Sequence, residues 1–270
     1  EYWGVYGIRE KIDEHYIEDN YGFNSDSIDL LNSFGVLTGT NINANNTYFT
    51  IINENPESDG FYELFSSFWN VNNYIDYFII QTFIQNMDWL GIAWGANNIK
   101  LWRPQIENGK WSYVLYDTDG ALGYFGQSYY ENYLAYAMNP AYVNNHSQIF
   151  NHVLNNHEFK CKFSNRYADL INTSLSFESA EEKANIIKYD MYNAMPRHIE
   201  RWQNSNNLNG TISSMQFWEN SINNILNYYS NRIGTARYFL DNTLNLDGMV
   251  NISLDILPNN AGRINLNTLL

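Results

Sequence analysis

Asp88 and Asn98, followed by Asp117 and Asp119 at the end of Trp111-Ser112-Tyr113-Val114-Leu115-Tyr116-Asp117-Thr118-Asp119-Gly120, set acid and amide side chains in the order used by metal-dependent phosphoryl transfer. That chemistry needs one carboxylate to orient the attacking hydroxyl and another, often joined by an amide oxygen, to hold a divalent cation against the phosphates. Carboxylates at i and i+2 leaving a strand can converge on one ion, and Gly120 lets the chain turn sharply after them. A calcium-binding loop fits less well, because Leu122-Gly123-Tyr124-Phe125 brings none of the further oxygen ligands such a loop requires. Taken singly, Asp117 to Gly120 reads equally well as an Asx turn, Asp88 as a polar cap after a helix, and Asn98 as a strand-edge hydrogen bonder. Their conjunction is what points to chemistry.

The elements around these residues would hold them rigidly. Over residues 71–85, Val71, Ile75, Phe78, Ile79, Thr82 and Phe83 share one face of an expected helix, widened by Tyr74 and Tyr77. It runs directly into Asn86-Met87-Asp88, so Asp88 is expected to face outward from the end of a buried scaffold. Residues 98–103 alternate as a strand, Asn108-Gly109 reads as a two-residue hairpin turn, and the next strand carries Trp111, Tyr113, Leu115 and Asp117 on one face. The opening residues 1–9 also alternate like a strand, and residues 11–22 read as a short helix stopped by Gly22. Residues 27–31 suggest a strand, and 41–58 a loop with a weak helix over 48–52. Beyond Gly126 the pattern turns helical over 146–155, 158–174, 180–193, 213–229 and 231–242, with Pro196 opening one more turn, then returns to β over 250–256 and 263–266. The expected fold is α+β: a small antiparallel or mixed sheet on a large helical C-terminal subdomain, with residues 1–245 as one domain and 246–270 as a short β segment that could begin a further module.

Composition narrows the function. The 270 residues are 44% hydrophobic and 17% aromatic, enough for a large core and for stacking surfaces that sugars or nucleotide bases use. The formal charge of −14 argues against nucleic-acid binding, but suits a nucleotide whose phosphates are bridged to carboxylates by divalent cations. No apolar run reaches the length of a membrane span. One cysteine, Cys161, excludes an intrachain disulfide and reads as a small buried hydrophobe, while His15, His146, His152 and His157 lack zinc-site spacing. The chain starts as though cut inside an element, which predicts a longer parent protein.

Taken together the residues resemble the spore coat protein H (CotH) kinase-like family, atypical kinases distantly related in fold to protein kinases. The resemblance rests on Gly4-Val5-Tyr6-Gly7-Ile8-Arg9-Glu10-Lys11-Ile12-Asp13 with Asp19-Asn20-Tyr21-Gly22, on Asp88-Trp89, Asn97-Asn98-Ile99-Lys100 and residues 111–120, and on Pro196-Arg197-His198-Ile199-Glu200-Arg201-Trp202. It implies ATP-dependent phosphorylation of Ser or Thr in a protein substrate that is secreted or associated with a bacterial cell surface or spore. By the same resemblance Asp88 is the catalytic carboxylate and Asp117 the principal ligand of Mg²⁺ (or Mn²⁺), with Asn98 and Asp119 as helpers. Trp111 would stack on adenine, Glu10 would pair a nucleotide-contacting lysine, and Arg9, Lys11, Lys100 and Arg103 would be phosphate contacts. Family members carry a basic, strand-containing region before the glycine-tyrosine segment, so the lysine partner of Glu10 is expected on an N-terminal segment preceding Glu1. The Pro196 to Trp202 string could be a phosphopeptide patch, but Arg and Glu at helical spacing ordinarily form solvated ion pairs, which favours a structural role. Two competing readings are a carbohydrate-active or carbohydrate-binding protein using Asp88 with Asp117 or Glu10, and a non-catalytic module that keeps a kinase-like fold.

Overall fold

Four strands lie antiparallel in the order β2-β1-β3-β4, with helices packed on both faces, in a computed structural model that describes residues 2–139, 144–204, 211–248, 250–253, 255, 257 and 262. The first helix, α1 (Glu14–Tyr21), is capped by the Asp13 carboxylate, which accepts the His15 and Tyr16 amides, and it stops at Gly22 in the left-handed conformation (φ 74°). Strands β1 (Ile28–Asn32) and β2 (Gly35–Thr38) form a hairpin, which leads into α2 (Ile42–Asn53) and α3 (Phe61–Phe68). The long apolar α4 (Val71–Ile84) follows, then β3 (Lys100–Pro104) and β4 (Ser112–Val114). Among the described residues the elements that follow are all helices: α5 (Tyr133–Met138), α6 (Asn145–Val153), α7 (His157–Asn172), α8 (Phe177–Tyr192), α9 (Met195–Trp202) and α10 (Met215–Leu244). The expected α+β class with a large helical part is what the chain adopts.

Strand β1 lies inside the sheet and is buried on both sides, with apolar Ile28, Leu30 and Leu31 facing both layers. Ile28 and Leu30 turn toward Ile17 of α1, together with Trp102 and Val114. Leu31 turns the other way, into a core shared with Leu101, Tyr113 and the aromatic face of α4. On that second face Phe78 stacks on Phe150 at 4.0 Å and Tyr77 stacks on Tyr113 at 4.3 Å, so much of the aromatic content fills the interior and does not form open platforms. The buried polar residue of β1, Asp29, accepts from the Thr40 amide, Asn43 and Gln105.

Several expectations are corrected. Residues 2–12 form no strand: the segment runs across the surface, and the adjacent Tyr2 and Trp3 dock on a helix near the other end of the chain. The sheet instead gains β2, a four-residue strand whose Val36 and Leu37 are consecutive and both exposed, so it carries no alternating signal. The span 41–58 holds a full helix, α2, because Ala44, Thr47 and Ile51 fall on one buried stripe despite the Asn-rich composition. The Asn108-Gly109 pair does lie between β3 and β4, but Trp102 pairs with Ser112, so the connection is a long loop. The two expected C-terminal helices are the single α10. Cys161 is exposed, with Sγ 3.6 Å from His157 Nε2. Residues 250–253 and 255 carry no strand, and the rest of the expected β tail, including 263–266, lies outside the described residues.

Candidate active site

Asp88 is placed by the end of α4. Gln85 closes that helix in the left-handed conformation (φ 57°), turning the fully buried Asn86 into the gap between the two acid-bearing loops. The Asn86 amide nitrogen donates to Gln81 Oε1 at 3.0 Å and to the Asp117 carbonyl at 3.3 Å, while its oxygen accepts the Asp88 amide at 3.2 Å. The Met87 amide donates to the Gly120 carbonyl at 3.0 Å, fastening the same loops a second time. One buried asparagine thus spans the backbones of the two predicted acids. A Cβ on Gly120 would lie 3.3 Å from Asn86 Oδ1 and 3.4 Å from Asp88 Cβ, so a side chain there would crowd the junction.

The Asp88 carboxylate is braced on both oxygens, Oδ1 accepting from Asn97 at 2.9 Å and Oδ2 from Asn98 at 3.1 Å. The Asn98 amide nitrogen also donates to the Asp88 carbonyl at 2.9 Å, from a left-handed backbone (φ 53°) that asparagine tolerates better than most residues. Asn98 therefore sits with Asp88, its amide nitrogen clamping the carboxylate.

Asp117 also has positive φ (51°), an outlier of the kind that clusters at functional sites, and its Oδ1 lies 3.2 Å from Arg9 Nη1. Asp119 reaches the other nitrogen of the same guanidinium at 3.7 Å. The two carboxylates therefore converge on one positive group, as the i, i+2 spacing predicts. Lys100, from β3, extends along the same cleft, donating to the Ile12 carbonyl at 2.9 Å and lying 4.7 Å from the centre of the Tyr116 ring. Partial burial lowers the Lys100 pKa, against which Asp13 and Asp117 pull upward. The Tyr116 hydroxyl is pushed up to about 12, chiefly by burial and then by Asp117 and Asp88, so both carboxylates act on one neighbourhood. Arg9, Glu10, Lys100, Tyr116, Asp117 and Asp119 line a cleft of about 520 Å³. A separate cleft of about 590 Å³, lined by Tyr21, Trp69, Trp102 and Lys110, includes neither acid loop.

Two predicted contacts are elsewhere. Trp111 is 1% exposed, bridged through its backbone to the Trp69 region, so it is a core aromatic and offers no face for adenine. Arg103 lies two residues from Leu101 on the core-facing side of β3, its guanidinium 5.8 Å from the Trp111 ring, and does not line the carboxylate cleft. Glu10 does line it, accepting from Asn20 at 3.3 Å, and among the described residues no lysine pairs with it. Asn86 and Asn97 are the site residues whose roles sequence reasoning missed. The only signal was their spacing from Asp88, and an Asn-rich chain hides it.

The Pro196 to Trp202 string forms α9, which grips the opening segment. The Val5 amide donates to His198 Nδ1 at 3.1 Å, Trp202 Nε1 donates to the Trp3 carbonyl at 2.9 Å, and the Tyr2 hydroxyl donates to the Ala194 carbonyl at 3.1 Å. Arg197 and Arg201 lie over the Tyr2 and Trp3 rings at 4.1 and 5.0 Å. The string is structural, as its composition favoured.

Sheet, helical body and cleft define an α+β domain. The chain matches the family described as CotH kinase protein over residues 1–235, and it belongs to that family. No curated protein and no solved structure matches it. Among the described residues no helix is long and apolar enough to cross a membrane.

Proposed function

We propose that this domain transfers the γ-phosphoryl group of ATP to Ser or Thr of a secreted or surface-associated bacterial protein, with Asp88 orienting the acceptor hydroxyl and receiving its proton. The observation that supports this most is the Asn86 bridge, which holds a doubly braced carboxylate beside the loop bearing Asp117 and Asp119. Phosphoryl transfer asks the protein mainly for positioning and charge stabilisation, and a carboxylate clamped at both oxygens meets the first demand.

The residues present fit a hard cation. Asp117 and Asp119 already converge on the Arg9 guanidinium, which stands in for positive charge. Among the described residues no group of three or more His, Cys, Asp or Glu side chains could hold a metal, and Mg²⁺ needs none, since it keeps water and phosphate oxygens beside one or two carboxylates. Bound Mg²⁺ or Mn²⁺ would neutralise phosphate charge. Lys100 and Arg9 line the same cleft and would neutralise the remainder.

The test is transfer of labelled phosphate from ATP, followed by phosphoamino-acid analysis, in the wild type and in Asp88→Ala and Asp117→Ala. Label on Ser or Thr that disappears in both variants supports the reading, and undiminished transfer in Asp117→Ala refutes it. A non-catalytic module is the second reading, favoured by the burial of Trp111, and it predicts neither transfer nor ATP binding.

A further inference from the structure

We infer that α9 is a clasp that sets the position of Arg9 in the cleft, and that Arg9 is a mobile counter-ion which leaves the carboxylates for phosphate when a cation arrives. The inference rests on the kinase reading for the identity of the phosphate. Its structural half stands on five contacts, three hydrogen bonds and two guanidinium-ring pairs, all confined to Tyr2, Trp3 and Val5. Val5 adds its side chain to the small core of Met195, Ile199 and Trp218. Gly4 has φ 116°, and a Cβ there would come within 2.6 Å of Trp202 Nε1, so the backbone approaches the indole as closely as only glycine permits.

Beyond Val5 the grip ends. Tyr6, Gly7, Ile8 and Arg9 are exposed, with Ile8 99% accessible, and the Tyr6 hydroxyl merely turns back to the Trp3 carbonyl. The next ties are the Glu10 carboxylate, which accepts from Asn20, and the Ile12 carbonyl, which accepts from Lys100. Arg9 therefore sits on a short free span between two fixed points, and four residues of chain from Val5 limit its travel to roughly 14 Å. Its side chain is 70% exposed, so its pairing with Asp117 and Asp119 is weak enough to exchange. A divalent cation at Asp117 would displace the guanidinium, and the tether would keep it within reach of the phosphates that the cation brings. His198 and Trp202 are thus positioning residues: they touch no reacting atom, but fix where the span begins.

This arrangement has a signature of opposite signs. Releasing Arg9 frees the carboxylates, so Mn²⁺ alone should bind about two- to fivefold tighter, while the KM for ATP·Mg should rise by about two- to fivefold. A purely structural weakening would impair both. The experiment compares the wild type, Arg9→Ala, Trp202→Phe, which keeps a ring but loses the Nε1 donor, and the double variant. Mn²⁺ binding is read by electron paramagnetic resonance without nucleotide, amide exchange is read over residues 2–12, and KM for ATP·Mg is read kinetically.

Expected are faster exchange over residues 2–12 in Trp202→Phe, tighter Mn²⁺ binding in both single variants, and a double variant no different from Arg9→Ala. Unchanged or weaker Mn²⁺ binding in Trp202→Phe, no Mn²⁺ binding in any variant, or effects that multiply in the double variant would overturn the clasp. His198→Ala carries the same test if Trp202→Phe does not fold. Failure of the wild type to bind ATP would sink the kinase reading, while the Mn²⁺ and exchange measurements would still decide the clasp.

Discussion

Replacing Asn98 by glycine separates its two candidate roles, because the left-handed backbone at φ 53° then costs nothing and only the side chain is lost. Alanine would add about 1–2 kcal/mol of backbone strain and confuse the result. The lost amide donates to both Asp88 Oδ2 and the Asp88 carbonyl. A hydrogen bond to a charged group contributes about 1.5–3 kcal/mol, which as lost transition-state stabilisation is roughly ten- to a hundredfold in kcat. Asn97 still holds Oδ1, so the lower part of that range is expected. Steady-state phosphoryl transfer measured across a Mg²⁺ titration reads both roles at once. A clamp on Asp88 predicts a fall in kcat with an unchanged Mg²⁺ half-saturation. A rise in half-saturation by tenfold or more at constant kcat would show instead that Asn98 ligates the metal, and would refute the assignment made from its contacts. A kcat within about twofold of wild type would mean that Asp88 needs no second brace.

Two further predictions concern the frame. His146 is fully buried between Tyr113 and Ser33, and burial lowers its pKa to about 3. Below pH 6.5 the unfolded chain therefore takes up a proton that the folded one refuses, and stability is intact above that pH and lost progressively toward pH 3. Roughly 2 kcal/mol should disappear between pH 6.5 and pH 5, read as the difference in urea unfolding between wild type and His146→Gln, and an equal pH response in the two would refute it. Trp111→Phe should cost about 1–3 kcal/mol of stability by loosening the core, while leaving the KM for ATP within twofold, since the ring is 1% exposed. A large rise in KM without a change in melting temperature would restore the adenine-stacking role.

The fold was legible where one physical demand dominated. The helix α4 announced itself because Ile75, Phe78, Ile79 and Phe83 must all be buried at helical spacing, and the Gly22 stop because only a left-handed residue could end α1 there. The opening segment was misread because the apolar Tyr2, Trp3 and Val5 are there for a different reason. They dock aromatic rings on Arg197 and Arg201 and an amide on His198, none of which a local pattern can reveal. Trp111 was misplaced for a related cause: two-residue periodicity grouped it with Asp117, but Asp117 lies beyond the end of β4 with positive φ, where the strand's facing rule no longer applies.

The site was legible as residue types and opaque as partnerships, and the difference has a physical cause. Phosphoryl transfer calls for paired acids, so Asp88, Asp117 and Asp119 could be named from chemistry, whereas Arg9 and Lys100 entered only through the family resemblance. What holds them is amide hydrogen bonding, and asparagine is abundant throughout this chain, so Asn86, which links the two acid loops, had no greater prominence than its neighbours. The same holds for charge. An arginine and a carboxylate more than a hundred residues apart are partners, on a segment that α9, nearer the other end of the chain, holds at Trp3 and Val5. A cleft whose resting counter-ion is carried on a tethered span can admit a divalent cation without first exposing uncompensated negative charge, which matters in a protein of formal charge −14.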